Sequence, residues 1–380
     1  MVILKDTVNQ IKDSEEVKSW LQNLSPNSKT NYLEALAEFC KINEITPEKM
    51  LNIIHHEEEE RKPTWQRSIN KWFEAFDEHC RKLKRRKGTR DTRRTIVNAF
   101  IGFCGLPQYT QRGGRRKIVG LRDSNQRENL TKEDIQSLLH VCKSFKMRAM
   151  ILAQASSGLA SIDILGLKVK DFQDGLDKVF DDNTEKYRRI CCLNLERKKT
   201  GVKFTTFFSE ETIKSIEKYL EIERTDLNPE DALFSSYKSG GKHMSTIALQ
   251  EQYRRLNEYL GWKTGEKGEF RKATSHMMRK FFNTQLINAG MPEEIREHFM
   301  GHKFKDRVRD AYFLASADDL KKVYLQYMEH VTVNDINPLV SISDYKELKM
   351  NYHELRDQND KLCDMVTQMK KELESLKCSV

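Results

Sequence analysis

No stretch of the 380 residues approaches the ~18 consecutive apolar positions that a membrane-spanning helix needs, and the first residues carry no apolar core of the secretory kind. A helical membrane protein is excluded, and a cytoplasmic chain without a secretory signal is expected. The eight cysteines form no Cys-x-x-Cys pair. Cys40, Cys80 and Cys104 sit among apolar helix positions, so reduced thiols and no structural zinc are expected. What is present is a chain with room for two or three domains and 38% hydrophobic residues, enough for packed cores. Lys and Arg number 66 against 57 Asp and Glu, a net charge of +9. That excess is moderate, so local clusters say more than the total.

Residues 14–105 read as all-helical. Ser28-Lys29-Thr30 starts a helix with Leu33, Leu36, Phe39 and Cys40 on its apolar face. Ile69, Trp72, Phe73, Phe76, Cys80 and Leu83 repeat with a 3.6-residue period. The four glutamates Glu57 to Glu60 between them read as a solvated helix face or loop. The plain conclusion is a small helical domain over 1–110. From Arg81 to Arg94 the chain carries nine Lys or Arg, Arg85, Arg86, Arg93 and Arg94 among them. A second cluster, Arg112, Arg115, Arg116 and Lys117, surrounds Gly113-Gly114. Basic runs are commonly solvated faces. These flank a domain boundary placed near 110–128, where a protein closing around a duplex must neutralise phosphates. Contact with DNA is therefore expected for part of them.

A second domain, 128–335, opens at Thr131-Lys132-Glu133-Asp134, a variant capping box. A helix rich in Met147, Met150, Ile151 and Leu152 follows, then Gly158-Leu159-Ala160-Ser161-Ile162-Asp163. Ile190–Leu195 and Val202–Phe208 read as strands joined by a turn at Lys198-Lys199-Thr200-Gly201. Residues 211–222 and 246–260 read as amphipathic helices. The chain then reaches its most informative stretch, His276-Met277-Met278-Arg279, then Gly301-His302, then Tyr312. His276 and Arg279 are three apart and share a helix face. Gly290 stops that helix, Pro292 starts another, and Gly301 leaves His302 on a turn. An arginine forks onto two oxygens of a phosphate. Histidines donate hydrogen bonds or move protons, and a tyrosine hydroxyl serves as a covalent nucleophile. Any one of these residues alone reads as easily as a surface or core side chain.

In order and spacing, His-x-x-Arg, Gly-His and a Tyr ten residues on resemble the C-terminal signature of the tyrosine recombinase (phage integrase) family, with surroundings of Tyr312 most similar to archaeal viral and plasmid integrases. The resemblance covers residues 130 to 330 and extends loosely to the N-terminal helices as a core-binding DNA clamp. It implies a mainly α fold, with an α-rich catalytic domain and a small antiparallel β-sheet. It also implies breakage and rejoining of DNA through a 3′-phosphotyrosyl link, with no metal or nucleotide cofactor. On that resemblance Arg279 clamps the scissile phosphate, His276 assists it and His302 is a further donor. Tyr312 is the nucleophile, and Lys199 protonates the leaving 5′-oxygen, with Lys198 and Lys203 as neighbouring alternatives. Tyr324 and Tyr327 are rival nucleophiles, but their spacing with Leu320, Val323 and Leu325 reads as core.

One position departs from the family pattern. An arginine is implied two residues after Gly158, and Ala160 stands there. Either the lineage has lost or relocated that arginine, with Arg271 and Lys272 as the nearest substitutes, or the chain is an inactivated version. The latter is the reading preferred from sequence. The rival from another class is a catalytically silent, sequence-specific DNA-binding protein on the same fold. A type IB topoisomerase shares the site logic and is a third option.

Residues 343–378 differ in kind. Tyr345, Tyr352, Asn359, Val366 and Leu373 repeat every seven, each followed three residues later by Leu348, Leu355, Leu362, Met369 and Leu376. Five a/d heptads with one central Asn at a predict a parallel dimeric coiled coil over 343–380. A helix lying on the protein's own surface is the alternative. The expected partners are duplex DNA at specific inverted sites and further copies of this chain, as a coiled-coil dimer and a tetramer on DNA.

Overall fold

The computed structural model describes residues 2–109, 128–181, 184–224, 227–236, 241–262, 270–303, 316–334 and 362. Arg115, Arg116, Tyr312 and, apart from Leu362, the heptad segment lie outside the described residues. The chain divides into two compact units, Met1–Gln126 and Arg127–Val380.

The first unit is helical: α1 (Val2–Ile11), α2 (Glu15–Leu21), α3 (Pro26–Ile42), α4 (Pro47–Glu59), α5 (Ser68–Lys82) and α6 (Lys87–Phe103). Ser14, Ser25 and Thr46 cap α2, α3 and α4, each hydroxyl accepting from the backbone N–H three residues on. Helix α3 therefore starts at Pro26, ahead of the expected Ser28, because Ser25 is the cap and proline suits the first helical position. Phe39 packs between Phe73 and Phe76, with ring centroids 4.8 and 5.8 Å away. Leu83, expected on the α5 apolar face, lies just past the helix end and is exposed.

Ion pairing and hydrogen bonding correct one expectation for this unit and bear on a second. Glu57, first of the four glutamates, is buried and not solvated. It accepts from the Ser68 N–H at 2.9 Å and the Ser68 hydroxyl at 2.7 Å, closing the start of α5. Burial alone would raise its carboxyl, but hydrogen bonds from Lys62 and Ser68 hold it below the usual range. Three of the arginines expected to contact DNA are paired with carboxylates of this unit, the half-buried Arg85 and Arg93 and the buried Arg94. Arg85 and Arg93 both bind the buried Glu38, Arg93 at 2.5 Å. Arg94 is buried, pairs with Asp77, and lies 4.8 Å from the ring centres of Phe73 and Tyr109. A buried carboxylate keeps its charge only with a partner, so Glu38 and Asp77 hold these guanidiniums inside the unit. Arg86 is half-buried, and Lys82, Lys84 and Lys87 are the exposed lysines of the run. Replacing Arg85 and Arg93 together by Ala is expected to lower the unfolding free energy by about 3–5 kcal/mol, since it strands a buried charge. Urea denaturation followed by circular dichroism reads the loss, and an unchanged midpoint would return both residues to the solvated face.

The second unit contains α7 (Lys132–Val141), α8 (Phe145–Ser157), α9 (Ser161–Ile164), α10 (Val169–Gly175), α11 (Glu210–Glu223), α12 (Thr246–Tyr259), α13 (Ser275–Asn288), α14 (Glu293–Phe299) and α15 (Ala317–Val331). Between α10 and α11 runs an antiparallel sheet in the order β1 (Leu176–Asp181), β2 (Lys186–Glu196), β3 (Lys203–Phe208). Cys191 of β2 lies opposite Leu176 of β1 and Phe208 of β3. The sequence pattern indicated β2 and β3 but not β1. Its burial alternates along the strand, yet Asp177, Lys178 and Asp181 dilute the hydrophobic signal. Thr131 and Asp134 form the capping box of α7.

Helix α8 is the axis of this unit. All of its residues from Phe145 to Ser157 are buried. It packs against α11, α13 and β3, and a helix covered all round needs small or apolar side chains on every face. Ala149, Ala153 and Ala155 supply the close approaches. Among the described residues, no helix is long and apolar enough to cross a membrane.

Candidate active site

The site begins with the anchoring of α13. Asn257 of α12 is fully buried and holds the backbone of Ala273 twice: its amide donates to the Ala273 carbonyl at 2.9 Å, and its side-chain oxygen accepts the Ala273 N–H at 3.0 Å. Thr274 then caps α13, accepting from the Met277 N–H at 3.2 Å. Ser275 bonds Gln154 of α8, which also accepts from the Tyr253 hydroxyl at 2.7 Å. Met277 and Met278 plug the first turn into the core, while His276 stays exposed and Arg279 is buried. This polar anchor was not apparent in the sequence, where Asn257 is one polar residue on an amphipathic helix. Asn257→Ala leaves two buried backbone groups of Ala273 unpaired, at about 1–3 kcal/mol each. A drop in thermal midpoint is expected, with faster hydrogen exchange at the start of α13. Exchange there at the parent rate would show the anchor to be dispensable.

Arg279 gathers three segments. Its Nη1 donates to the Gly158 carbonyl at 2.7 Å, and its Nη2 donates to the Met300 carbonyl at 2.6 Å and lies 2.8 Å from His302 Nε2. Burial, reinforced by the positive charge of Arg197, lowers its pKa to about 10, so the guanidinium is still charged at neutral pH. Gly158 is required twice over. Its φ of +65° is left-handed, and a Cβ there would stand 2.3 Å from the Phe282 ring. That geometry turns its carbonyl toward Arg279. His302 Nδ1 lies 2.5 Å from Glu297 Oε2. With the proton on Nδ1 given to Glu297, Nε2 accepts from Arg279, and one neutral tautomer satisfies both contacts. Burial lowers the His302 pKa, and the cations Arg279 and Arg197 oppose Glu297 in the same direction.

The turn between β2 and β3 approaches from the other side. Asp163 of α9, itself buried, accepts from the Lys198 N–H at 3.1 Å, fastening the turn to the helix that Ala160 begins. Lys198 directs its ammonium against Gly166, where a Cβ would lie 1.9 Å from it. Lys199, at the tip, is exposed. Arg197 was not singled out from sequence, although it adjoins the Lys-Lys-Thr-Gly turn. Its Nη1 donates to the Gly301 carbonyl at 3.0 Å. The residues expected as substitutes for an arginine at position 160 fare differently. Lys272 is committed elsewhere, 2.6 Å from Asp134 and 4.5 Å from the centre of the Trp262 ring, and Arg271 is half-buried. Tyr324 is fully buried, donates its hydroxyl to the Ser156 carbonyl at 2.9 Å, and has its pKa pushed far up by burial. Tyr327 is half-buried against the same core. Arg279, His302, Arg197 and the Lys199 turn are thus brought to one end of α13.

A helical unit with a three-stranded antiparallel sheet and a buried Arg–His pair at the end of a central helix defines a class. The chain belongs to the phage integrase family, whose model matches residues 128–317. It is 23% identical over 231 residues to transposase A from transposon Tn554 of Staphylococcus aureus, an alignment covering 60% of each chain. It is 25% identical over 208 residues to tyrosine recombinase XerA of Pyrococcus furiosus, covering 54% of this chain and 63% of that one. The chain thus spans less than two thirds of the length of these relatives. Its fold is similar to that of the Tn1549 transposon integrase solved with transposon right-end DNA. That match has a TM-score of 0.52 and 18% identity, and covers 85% of this chain and 98% of that one.

Proposed function

We propose that this protein is a site-specific DNA recombinase that cleaves and rejoins strands through a 3′-phosphotyrosyl intermediate. The observation that carries this reading is the buried Arg279, charged and bonded only to two carbonyls and the His302 ring among the described residues. A guanidinium kept from water that Asp163 and Glu297 influence without pairing with it directly is poised for an anion, and a phosphate diester is the anion that the family acts on. The recombinase activity in the name of the XerA relative accords with it.

In the proposed step the Tyr312 hydroxyl passes its proton to His276 as its oxygen attacks phosphorus, the P–O5′ bond breaks, and the 5′-oxygen takes a proton from Lys199. Arg279 neutralises charge on the non-bridging oxygens, with His302 beside it. His276 assists at the exposed start of α13. Rejoining reverses these transfers. No metal or nucleotide takes part. The tyrosinate is released again when a 5′-hydroxyl attacks, so the ester conserves the bond for the second strand. The N-terminal unit acts as the clamp on duplex DNA at inverted sites. The heptads over 343–380 pair two copies in parallel, and two such dimers form the tetramer on DNA.

Ala160 favours a second reading, a silent DNA-binding protein on the same fold, or an enzyme of reduced activity. Incubation with a nicked suicide duplex, followed by denaturing electrophoresis, separates them. A covalent protein–DNA band supports the recombinase. Specific duplex binding without any band supports the silent protein.

A further inference from the structure

Position 160 lacks a guanidinium, yet the site does not lack a second one. Arg197 and Arg279 hold consecutive carbonyls of the same turn, Arg197 that of Gly301 and Arg279 that of Met300. The charge of Arg197 disfavours protonation of both Arg279 and His302. The two like charges repel one another; Asp163 and Glu297 offset part of this at Arg279 without pairing with it directly, and a bound anion would offset the rest.

The bonding of Arg197 sets it apart from other arginines of this unit. Arg188, Arg189 and Arg224 each meet a carboxylate. Neither Arg197 nor Arg279 is ion-paired to a carboxylate among the described residues. Arg197 Nε is buried and has no hydrogen-bond partner there, a property it shares in this unit with Arg296 Nε, whose guanidinium is however paired with Glu297. A buried N–H left without an acceptor is costly in a purely structural residue, and it is what a phosphate oxygen would satisfy.

Its place in the chain is held firmly. The Arg197 N–H donates to the Val202 carbonyl at 2.8 Å, closing the β2–β3 connection, and the next residue is the one tied to Asp163. Asp163 lies three residues after Ala160 on the same short helix, and Ala160 begins that helix with no side-chain cap. The hairpin is thus docked against the segment from which the missing arginine would have projected.

We propose that Arg197 is a catalytic residue, the second phosphate-binding guanidinium of this site, supplied from the β-hairpin in place of the arginine absent at position 160. This rests on the phosphoryl-transfer reading given above. Arg197 and Arg279 then grip the scissile phosphate from two sides, and Arg197 Nε gains its acceptor when DNA binds. The Gly301 carbonyl keeps Arg197 in place before that.

The test is single-turnover formation of the covalent adduct on a nicked suicide duplex by the full chain at saturating protein, with duplex affinity and thermal midpoint measured alongside. Arg197→Ala is expected to slow the adduct by on the order of 10²–10³-fold while duplex affinity changes much less. Arg197→Lys keeps a charge and a donor for Gly301 but loses the fork, and an intermediate rate is expected. Ala160→Arg is expected to leave the parent rate flat or lower, because its guanidinium crowds Arg197, and to restore activity when combined with Arg197→Ala. A structural role at Gly301 would not produce that rescue. An Arg197→Ala or Arg197→Lys protein cleaving at the parent rate overturns the proposal. So does a parent that gains on the order of a hundredfold from Ala160→Arg alone, since the site would then have been incomplete. Either result leaves the recombinase reading standing. Absence of adduct from the parent and from Ala160→Arg alike overturns that reading, and this inference with it.

Discussion

Tyr312→Phe is expected to abolish the covalent protein–DNA adduct altogether, with duplex affinity and the unfolding midpoint essentially unchanged. The substitution removes one oxygen and keeps the ring, so only a step that needs the hydroxyl responds. The alternatives are weak on structural grounds. The Tyr324 hydroxyl is fully buried and committed to the Ser156 carbonyl, and burial disfavours its ionised form strongly. To act it would have to leave the core and strand a buried carbonyl. Tyr327 packs half-buried beside the same cluster. Tyr324→Phe is therefore expected to cost about 1 kcal/mol of stability through its lost hydrogen bond, and both it and Tyr327→Phe retain the adduct. Denaturing electrophoresis of all three variants decides. A band from Tyr312→Phe together with none from one of the others would transfer the nucleophile to that residue.

Arg279→Lys is expected to reduce adduct formation by at least on the order of 10²-fold, the effect of removing a donor aimed at developing charge. Lysine keeps the charge but reaches one point, whereas Arg279 reaches the carbonyls of Gly158 and Met300 and the His302 ring together. Losing that fork also leaves one or more buried acceptors unpaired, at about 1–3 kcal/mol each. Stability and rate should therefore fall together, in contrast to Tyr312→Phe, where only rate falls. The two effects separate by measuring single-turnover rates well below the thermal midpoint of the variant. A lysine variant that cleaves at the parent rate would show that charge alone suffices and that the buried fork serves the fold.

Much of this architecture could be read in the chain. The 3.6-residue period over Ile69 to Cys80 forecast α5. Thr131 and Asp134 marked the start of α7. Gly290 and Gly301, with positive φ, stand where helix stops were expected. Such signals are local: a cap, a stop or an apolar face involves residues within a few positions of each other. The motif His-x-x-Arg and Gly-His pointed to Arg279 and His302, which lie within hydrogen-bond distance.

Other features depended on residues far apart in sequence. Whether Arg85 and Arg93 face a duplex or a carboxylate turns on Glu38, 47 and 55 positions away. A basic run reads the same in either case, since charge is local but its neutralisation is not. Glu57 reads as one of four solvated acids until Ser68 closes over it. Asn257 holds Ala273 across 16 residues, and no periodicity marks it.

By itself, the sequence determined the helical character of both units, the β2–β3 hairpin, the start of α7 and the helix stops at Gly290 and Gly301, and the set of residue types that suggests phosphoryl transfer. These follow from backbone preferences and from spacing along one element. Only the tertiary structure decided which cations are paired with a carboxylate. Arg94 and Lys272 are taken by Asp77 and Asp134, whereas Arg279 and Arg197 hold one turn and, among the described residues, ion-pair with no carboxylate. The physical reason is that a guanidinium's availability depends on its nearest opposite charge in space, and that neighbour is set by how the elements pack.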